Sequence, residues 1–227
     1  LMECVKKFIK KFLHLERERK DAPSSTATFP GSDVYWNNRY ETGGDSGVGS
    51  YGCFARFKAN TLNEFIKDND IREIIEFGCG DGNQLSYFKF PHYIGFDVSP
   101  VVISACREKY KEDEMKEFYL MSDYEEQQAE LTLSLDVIYH LVEDDVYNSY
   151  MERLFGASSR FVGIYSSDSD ENPKEVSEHV RNRCFTDWVN KNMPVWEMVT
   201  KIDNLYPYEG DYREGSWSDF YFYEKHI

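Results

Sequence analysis

Two residues four positions apart, Asp136 and His140, carry the clearest potential for acid–base chemistry in this sequence. They lie in the segment ELTLSLDVIYHLVED (130–144), whose apolar run predicts a buried strand over 131–136. If the chain makes a helical turn after this strand, the spacing brings both side chains into one cleft. His140 could then remove a proton from a hydroxyl acceptor, while Asp136 orients or stabilises the imidazole. Alternatively, His140 is a core or supporting histidine and Asp136 only helps to hold a cofactor.

A second segment, IIEFGCGDGNQL at 74–85, predicts a strand that runs into Gly78, Gly80 and Gly82 and is followed by a helix. Glycines at such a turn let a ligand approach backbone N–H groups at the start of a helix. Asp97 ends the next predicted strand, where it can accept hydrogen bonds from ribose hydroxyls. These residues therefore predict a site for an adenosine-containing cofactor.

The type of cofactor follows from three neighbouring residues. Asn83 stands where the dinucleotide fingerprint G-x-G-x-x-G has its last glycine. Glu76 and Asp81 flank the loop, and their carboxylates would repel a pyrophosphate but not a cationic sulfonium. This favours a sulfonium cofactor, with Glu76 among its binding residues. A nicotinamide-dependent oxidoreductase and a non-catalytic adaptor that keeps the fold are the alternatives.

The acidic strand ends and the G-x-G-x-G loop resemble those of class I S-adenosylmethionine-dependent methyltransferases, over roughly residues 70–165. The resemblance implies S-adenosylmethionine as the cofactor. Its methionine part would be lined by Gly78, Cys79 and Gly80. Asp97 would bind the ribose, with Val98 and Ser99 beside the adenine. The strand end Ser134, Leu135 and Asp136 would face the sulfonium.

Two further positions follow from this resemblance. Asp123 matches the residue that usually meets the adenine amino group; the alternative is a surface acid within the acidic run 123–126. The segment around His140 is also similar to the E-x-x-E-H segment of quinone-biosynthesis O-methyltransferases, which can hold a divalent metal. Tyr139 replaces one carboxylate of that segment, so we expect no metal.

The candidate acceptor-binding residues come from two segments. In EHVRNRCFTDWV (178–189), His179 and Arg181 stand out in an acidic chain, and arginine suits a phosphate or carboxylate on the acceptor. Salt bridges to the acidic loop at 168–175 are the alternative. Tyr35, Arg39 and Tyr51 lie in the N-terminal segment and could form a lid, or they could pack without touching a ligand.

Strand and helix patterns alternate from residue 71 onwards and predict an α/β fold. We expect a doubly wound, mostly parallel seven-stranded sheet, Rossmann-like, with a terminal antiparallel strand and an N-terminal helical cap. The expected strands span 71–77, 92–97, 116–121, 131–136, 160–165, 194–203 and 217–224. The expected organisation is a basic amphipathic helix (1–20), a linker (21–32), a helical cap with a glycine-rich lid loop (33–69) and the cofactor-binding core (70–227).

Charge and cysteine content limit the partners. With 26 basic and 41 acidic residues the net charge is −15, which argues against nucleic-acid binding. The first twenty residues carry +4 (seven basic, three acidic), so residues 2–20 could lie on an anionic membrane surface; the alternative is a helix that packs on its own domain or on a neighbouring subunit. Five scattered cysteines without a C-x-x-C pair fit neither a disulfide framework nor a zinc site. No signal peptide or membrane span is evident, so we expect a cytoplasmic protein, with the inner face of the membrane as a further option.

The wider pattern adds an expectation about the acceptor. The segments YWNNRY and GGDSGVGSYG before the core, together with SLDVIYHLVED, resemble bacterial methyltransferases associated with capsule or lipopolysaccharide assembly. This resemblance implies a small polar acceptor, methylated at an oxygen of a sugar, phosphate or phosphoramidate precursor.

Overall fold

The computed structural model describes residues 29–173 and 177–226. The chain divides into two units, Leu1–Pro30 and Gly31–Ile227. The expected basic helix at 1–20, with its possible membrane contact, and most of the expected linker lie outside the described residues. Within the described ranges, no helix is both long and apolar enough to cross a bilayer.

Seven strands form one sheet. In chain order they are β1 (Glu73–Phe77), β2 (His92–Asp97), β3 (Lys116–Leu120), β4 (Ala129–Leu135), β5 (Ser158–Ser166), β6 (Trp196–Ile202) and β7 (Asp219–Lys225). Their order across the sheet is β3-β2-β1-β4-β5-β7-β6. Six strands are parallel, and β7 is antiparallel to both of its neighbours. The predicted mostly parallel sheet is confirmed, although the antiparallel strand lies one place inside the edge.

Within the described residues, five α-helices accompany the sheet: α1 (Ser32–Glu41), α2 (Gly52–Asp68), α3 (Pro100–Lys109), α4 (Asp144–Gly156) and α5 (Phe185–Asn192). The first two form the expected helical cap at 33–69, whereas the helix expected directly after the glycine loop is only a short 3₁₀ turn, Gln84–Tyr87. Apolar side chains from both faces of the central strands are buried, as expected for a parallel sheet covered on both sides. Ile74 of β1 packs into the core on one face, and its neighbour Ile75 packs into the core on the other.

The strand order reverses between β1 and β4, which lie side by side at the centre of the sheet. At such a reversal the connecting segments leave in opposite directions and open a crevice at the carboxyl ends of the strands. The glycine loop follows β1, Asp97 ends β2, and Asp136 follows β4. The topology therefore brings these three parts of the sequence to the same edge of the sheet.

Candidate functional site

A cavity of about 360 Å³ opens at this edge, with α1 on one side and α4 on the other. Among the residues named as candidates from the sequence, it is lined by Gly78, Cys79, Gly80, Asp97, Val98, Leu135, Asp136 and His140. Its wall also includes Trp36, Tyr40, Ser46, Ser50, Gln84, Met121, Val137, Leu141, Val146, Ser149, Tyr150 and Arg153. The structure thus brings the glycine loop and the pair at the end of β4 into one cavity.

The glycine loop has a backbone that only glycine adopts readily. Gly78, Gly80 and Gly82 have φ values of +86°, +57° and +65°. A Cβ atom on Gly78 would lie 2.5 Å from Val137 Cγ2, and one on Gly80 would lie 2.4 Å from Ser46 Oγ. The spacing of the glycines therefore reflects both the turn itself and the close approach of other segments to the cavity wall.

The backbone N–H groups of this loop are already used within the protein. Those of Gly78 and Cys79 donate to the carbonyl oxygen of Phe96 at 2.7 and 3.0 Å. The N–H of Gly80 donates to Asp97 Oδ2 at 3.0 Å, and that of Asp81 donates to Ser46 Oγ at 2.8 Å. A pyrophosphate needs such donors, so the loop is poorly equipped to hold a dinucleotide.

Asp97 combines a structural task with exposure to the cavity. Its Oδ2 accepts from the N–H of Gly80 and its Oδ1 accepts from the N–H of Ser99, both at 3.0 Å. Burial raises the pKa of Asp97, and these hydrogen bonds oppose that shift. Each carboxylate oxygen retains a second lone pair, so Asp97 can accept further hydrogen bonds from a ligand in the cavity.

Glu76 is fully buried and does not line the cavity. Its Oε2 accepts from the Tyr93 hydroxyl at 2.6 Å, and its Oε1 accepts from Gln84 Nε2 at 3.1 Å. Burial raises the pKa of Glu76 to about 7, although both hydrogen bonds oppose the shift. From the sequence we expect Glu76 to contact the cofactor directly. In the structure Gln84 lines the cavity instead, and Glu76 binds the Gln84 amide from inside the protein.

Three other predicted cofactor residues also lie off the cavity wall. The Oγ atom of Ser134 lies 2.8 Å from the hydroxyl oxygen of Tyr150, and Ser99 Oγ donates to Asn37 Oδ1 at 3.1 Å. Asp123 is exposed on a separate depression beside Arg107, in keeping with the surface-acid alternative. Met121, two residues before Asp123, lines the cavity instead.

Hydrogen bonds to Asp81 hold the glycine-rich segment before α2 against the glycine loop. Asp81 Oδ2 accepts from the N–H of Ser46 at 3.0 Å and from the Tyr51 hydroxyl at 2.6 Å. Burial tends to raise the pKa of Asp81, but the hydrogen bonds from Tyr51 and Ser46 outweigh it and lower the pKa. Tyr51, an expected acceptor and lid residue, therefore binds Asp81 and does not line the cavity.

The start of α1 is fastened to the segment after β4. The Ser32 N–H and hydroxyl donate to Glu143 Oε1 and Oε2, at 2.9 and 2.6 Å. Ser32 Oγ in turn accepts from the N–H of Val142 at 3.0 Å. These bonds hold α1 against the cavity, where Trp36 and Tyr40 of this helix form part of the wall.

Asp136 binds a lysine that the sequence reasoning missed. Its Oδ2 lies 2.6 Å from Nζ of Lys58, whose side chain is 0% exposed. Its Oδ1 accepts from the hydroxyls of Tyr139 at 2.9 Å and Ser218 at 3.2 Å. Lys58 could have been recognised because it continues the apolar stripe of α2, four residues after Phe54.

His140 is oriented by a backbone carbonyl, not by Asp136. Its Nδ1 lies 3.0 Å from the carbonyl oxygen of His179, which can only accept a hydrogen bond. In the neutral ring Nδ1 therefore carries the proton, and Nε2 keeps a lone pair. Among the described residues, Asp136 makes its hydrogen bonds elsewhere and none of them reaches His140. The expected Asp136–His140 dyad is thus replaced by two separate groups on one cavity wall.

The environment of His140 favours the uncharged imidazole. Its ring lies edge-on to Trp36, with centroids 4.7 Å apart, and stacks on His179 at 5.3 Å. Burial lowers the pKa of His140 to about 4, and the hydrogen bond to His179 opposes the shift.

None of the five predicted acceptor residues lines the cavity. Tyr35 stacks on His179 at 4.3 Å, immediately behind His140. Arg39 pairs with Asp45 at 3.1 Å. Arg181 pairs with Asp144 at 2.9 Å and also donates to the carbonyl oxygen of Val142.

The arginines pair with neither of the expected partners, an acceptor in the cavity or the acidic loop at 168–175. Arg183, like Arg181, binds Asp144 in the first turn of α4, at 3.1 Å. The two arginines thereby hold the segment after β4 in place.

The described part of the chain contains no group of three or more His, Cys, Asp or Glu residues arranged to hold a metal ion.

Comparison with known proteins agrees with this geometry. Residues 75–160 match the methyltransferase domain family. This segment holds most of β1, the glycine loop, Asp97, Asp136 and His140. Comparison with curated proteins finds no significant match.

Several solved structures share the fold at low sequence identity. NodS, an N-methyltransferase from Bradyrhizobium japonicum WM9 in complex with S-adenosyl-L-homocysteine, has a TM-score of 0.63 at 10% identity, with 86% of this chain and 98% of NodS covered. ChlM, magnesium protoporphyrin IX methyltransferase from Synechocystis PCC 6803 with bound SAM, has a TM-score of 0.61 at 11% identity (89% and 100% covered). The methyltransferase domain of bacterial CtHen1-C has a TM-score of 0.58 at 18% identity (76% and 98% covered).

These structures establish a Rossmann-like methyltransferase fold. The domain match includes most of the residues that line the cavity, and α1 and the segment before α2 supply the others. Residues 75–160 thus match a methyltransferase domain family, and the chain shares its fold with solved structures of S-adenosylmethionine-dependent methyltransferases.

Proposed function

We propose that this protein transfers a methyl group from S-adenosylmethionine to an oxygen atom of a small polar acceptor. The observation that carries the proposal is a single cavity that joins the glycine loop and Asp97 to His140. When bound, the cofactor supplies an electrophilic methyl group. The residues of this chain bind the two reactants, align them and accept the proton of the acceptor.

The donor set of the cavity suits a cationic adenosine cofactor better than an anionic one. Asp97 offers carboxylate lone pairs to ribose hydroxyls, and Gly78 and Gly80 permit close approach of a ligand. The N–H groups of residues 78–81 already donate within the protein and Asp81 is close by, so a pyrophosphate would meet carboxylates where it needs donors. This argues against the nicotinamide alternative.

The imidazole of His140 is the group that favours an oxygen acceptor. A hydroxyl must lose its proton when it is methylated, and Nε2 of His140 offers an imidazole lone pair on this wall. The His179 carbonyl oxygen fixes the tautomer, and it can stabilise the positive charge that His140 gains. Amine methylation does not require a base of this kind when the amine arrives uncharged.

For the acceptor we propose a sugar hydroxyl of a surface-polysaccharide precursor. The resemblance to capsule-associated enzymes allows sugars, phosphates and phosphoramidates. Arg39 and Arg181 bind acidic side chains and do not line the cavity. Arg153 on the wall lies over the Tyr124 ring, and Trp36 beside His140 offers an aromatic surface to a sugar ring.

The first test is calorimetric titration with S-adenosylmethionine, S-adenosylhomocysteine and NAD. We expect binding of both adenosyl compounds and a loss of affinity in Asp97→Ala. Binding of NAD without either sulfur compound would refute the proposal.

A second assay measures S-adenosylhomocysteine release with a panel of neutral sugars, sugar phosphates, phosphoramidates and amines. We expect turnover with a sugar hydroxyl, unchanged by a chelator. Binding of both adenosyl compounds without turnover on any acceptor would favour the non-catalytic adaptor. Turnover confined to amines would refute O-methylation.

A further inference from the structure

Gln84 presents an unusual polar group on the cavity wall. Its side chain is 3% exposed, its Nε2 donates to Glu76, and its Oε1 has no hydrogen-bond partner among the described residues. Leaving a buried acceptor without a donor costs about 1–3 kcal/mol. The three other buried side-chain oxygens in this condition belong to Tyr147, Ser166 and Tyr223, none of which lines the cavity.

The orientation of the Gln84 amide follows from its neighbour. The hydrogen bonds from Tyr93 and Gln84 favour the ionised form of Glu76, and a carboxylate only accepts, so the NH₂ group of Gln84 faces Glu76 Oε1 at 3.1 Å. Glu76 is held in turn by the Tyr93 hydroxyl at 2.6 Å. The Oε1 atom of Gln84 is therefore an acceptor without a donor. It belongs to a side chain held in place by Glu76, on a cavity wall that a ligand can reach.

The charges near Gln84 favour a positively charged donor. Glu76 is in direct contact with Gln84, and Asp97 contributes a second carboxyl group to the same region of the wall. A neutral donor would gain only a hydrogen bond here, whereas a cation would also gain from the acidic surroundings. Gln84 also follows the glycine loop directly, two residues after Gly82.

We propose that Gln84 Oε1 accepts a hydrogen bond from the α-ammonium group of the amino-acid part of the cofactor. This inference rests on the proposed function, because it takes S-adenosylmethionine and its demethylated product as ligands. The ammonium is the one donor common to both that carries a positive charge. Gln84 is then a specificity residue for the amino-acid end of the ligand, and Glu76 fixes the Gln84 amide by accepting its hydrogen bond.

The test uses three ligands in calorimetric titrations of wild-type protein and Gln84→Met. The ligands are S-adenosylhomocysteine, its deaminated analogue, which keeps the carboxylate, and 5′-methylthioadenosine, which lacks the amino-acid end. We expect Gln84→Met to weaken S-adenosylhomocysteine binding about 10- to 100-fold, the range for a hydrogen bond to a charged group. Affinities for the other two ligands should change less than about threefold. Gln128→Met, at an exposed glutamine, is the matched control and should change none of the three.

The ligand series also separates failure of this inference from failure of the proposed function. A Gln84→Met protein that loses all three ligands alike would overturn the inference, because the loss would then come from distortion of the wall. Equal wild-type affinity for S-adenosylhomocysteine and its deaminated analogue would also overturn it, without reliance on any variant. In both cases the proposed function stands. Failure of the wild-type protein to bind any of the three ligands would refute the proposed function itself.

Discussion

The ammonium group of Lys58 lies 2.6 Å from Oδ2 of Asp136, and the lysine side chain is completely buried. This ion pair joins the middle of α2 to the first residue after β4. Asp136 has a φ of +61°, a conformation that a residue other than glycine rarely adopts. Its three donors, from Lys58, Tyr139 and Ser218, therefore hold a strained turn at the edge of the cavity.

We predict that Lys58→Met destabilises the protein by about 3–5 kcal/mol, the range for removal of one partner from a buried ion pair. Methionine fills a similar volume, so the loss would come from the Asp136 carboxylate left without its counter-charge. Urea unfolding at neutral pH measures the change in the free energy of unfolding.

Two further variants separate charge from packing in this pair. Lys67→Met, at an exposed lysine of the same helix, should change the free energy of unfolding by less than about 0.5 kcal/mol. Lys58→Met combined with Asp136→Asn should recover part of the loss, because no unpaired charge remains. Equal destabilisation by the single and the double variant would mean that packing of the lysine stem, not the ion pair, is what matters.

The fold could be predicted from the sequence because its determinants are local. The apolar runs that end at Phe77 and Asp97 give two of the parallel strands, and the glycine spacing after Phe77 marks the turn between them. The reversal of strand order then follows from the alternation of strands and helices. Each signal is contained in a short stretch of chain, so one sequence is sufficient to recognise it.

The partners of the site residues could not be predicted in the same way. Arg181 could bind an acceptor or a carboxylate, and its choice of Asp144 depends on how two distant segments pack. His140 has an unremarkable sequence context, yet the carbonyl oxygen of His179 fixes its ring. Such pairings link residues about 40 positions apart, which local patterns do not specify. Lys58 is the exception, because a lysine on an apolar stripe signals a buried charge.

A substitution in the glycine loop should show how tightly the cavity wall is packed. We predict that Gly78→Ala abolishes detectable S-adenosylhomocysteine binding, because φ of +86° is unfavourable for alanine and the added Cβ would meet Val137 at 2.5 Å. Calorimetry measures the binding. Gly156→Ala, at the end of α4 with no atom within 4 Å of the new Cβ, should leave binding intact and slightly raise the melting temperature. Normal binding by Gly78→Ala would contradict this prediction and would mean that the Val137 side chain moves aside at little energetic cost.

The contact between the lid segment and the cofactor loop should control the exchange of ligand. Tyr51→Phe removes the hydroxyl that donates to Asp81 at 2.6 Å, a hydrogen bond to a charged group. We predict dissociation of S-adenosylhomocysteine about 10-fold faster or more, measured by stopped-flow displacement. Tyr87→Phe, at a tyrosine that does not line the cavity, is the control. Identical dissociation rates for Tyr51→Phe and wild type would mean that this lid segment does not gate release.

The same contact predicts how the lid responds to pH. The pKa of Asp81 is lowered in the folded protein by hydrogen bonds from Tyr51 and Ser46, against the effect of burial. The stability that Asp81 contributes is therefore present above its unfolded pKa near 3.9 and is lost as pH falls through its lower folded value. We expect dissociation rates to stay constant from pH 8 to pH 5, so an acceleration centred near pH 6 would contradict this assignment.

The pH dependence of folding should report the buried state of His140. Its pKa is about 4 in the folded protein, mainly because of burial, against about 6.5 when unfolded. Since the folded pKa is the lower one, His140 contributes stability that is complete above pH 6.5 and is lost as pH falls from 6.5 towards 4. Urea unfolding across this window should show a steeper loss for wild type than for His140→Gln.

The same residue makes a prediction about turnover that separates catalysis from packing. If His140 Nε2 takes the proton of the acceptor, His140→Ala should lower turnover by about 10²–10⁴, with S-adenosylhomocysteine affinity close to wild type. Because the buried imidazole stays neutral down to about pH 4, wild-type turnover should show no acid limb near pH 6.5. His140→Gln keeps a polar group against the His179 carbonyl oxygen but has no basic nitrogen, so it should be as slow as His140→Ala. Full turnover in His140→Gln with loss only in His140→Ala would assign His140 to positioning. Alignment of the two reactants would then account for the rate.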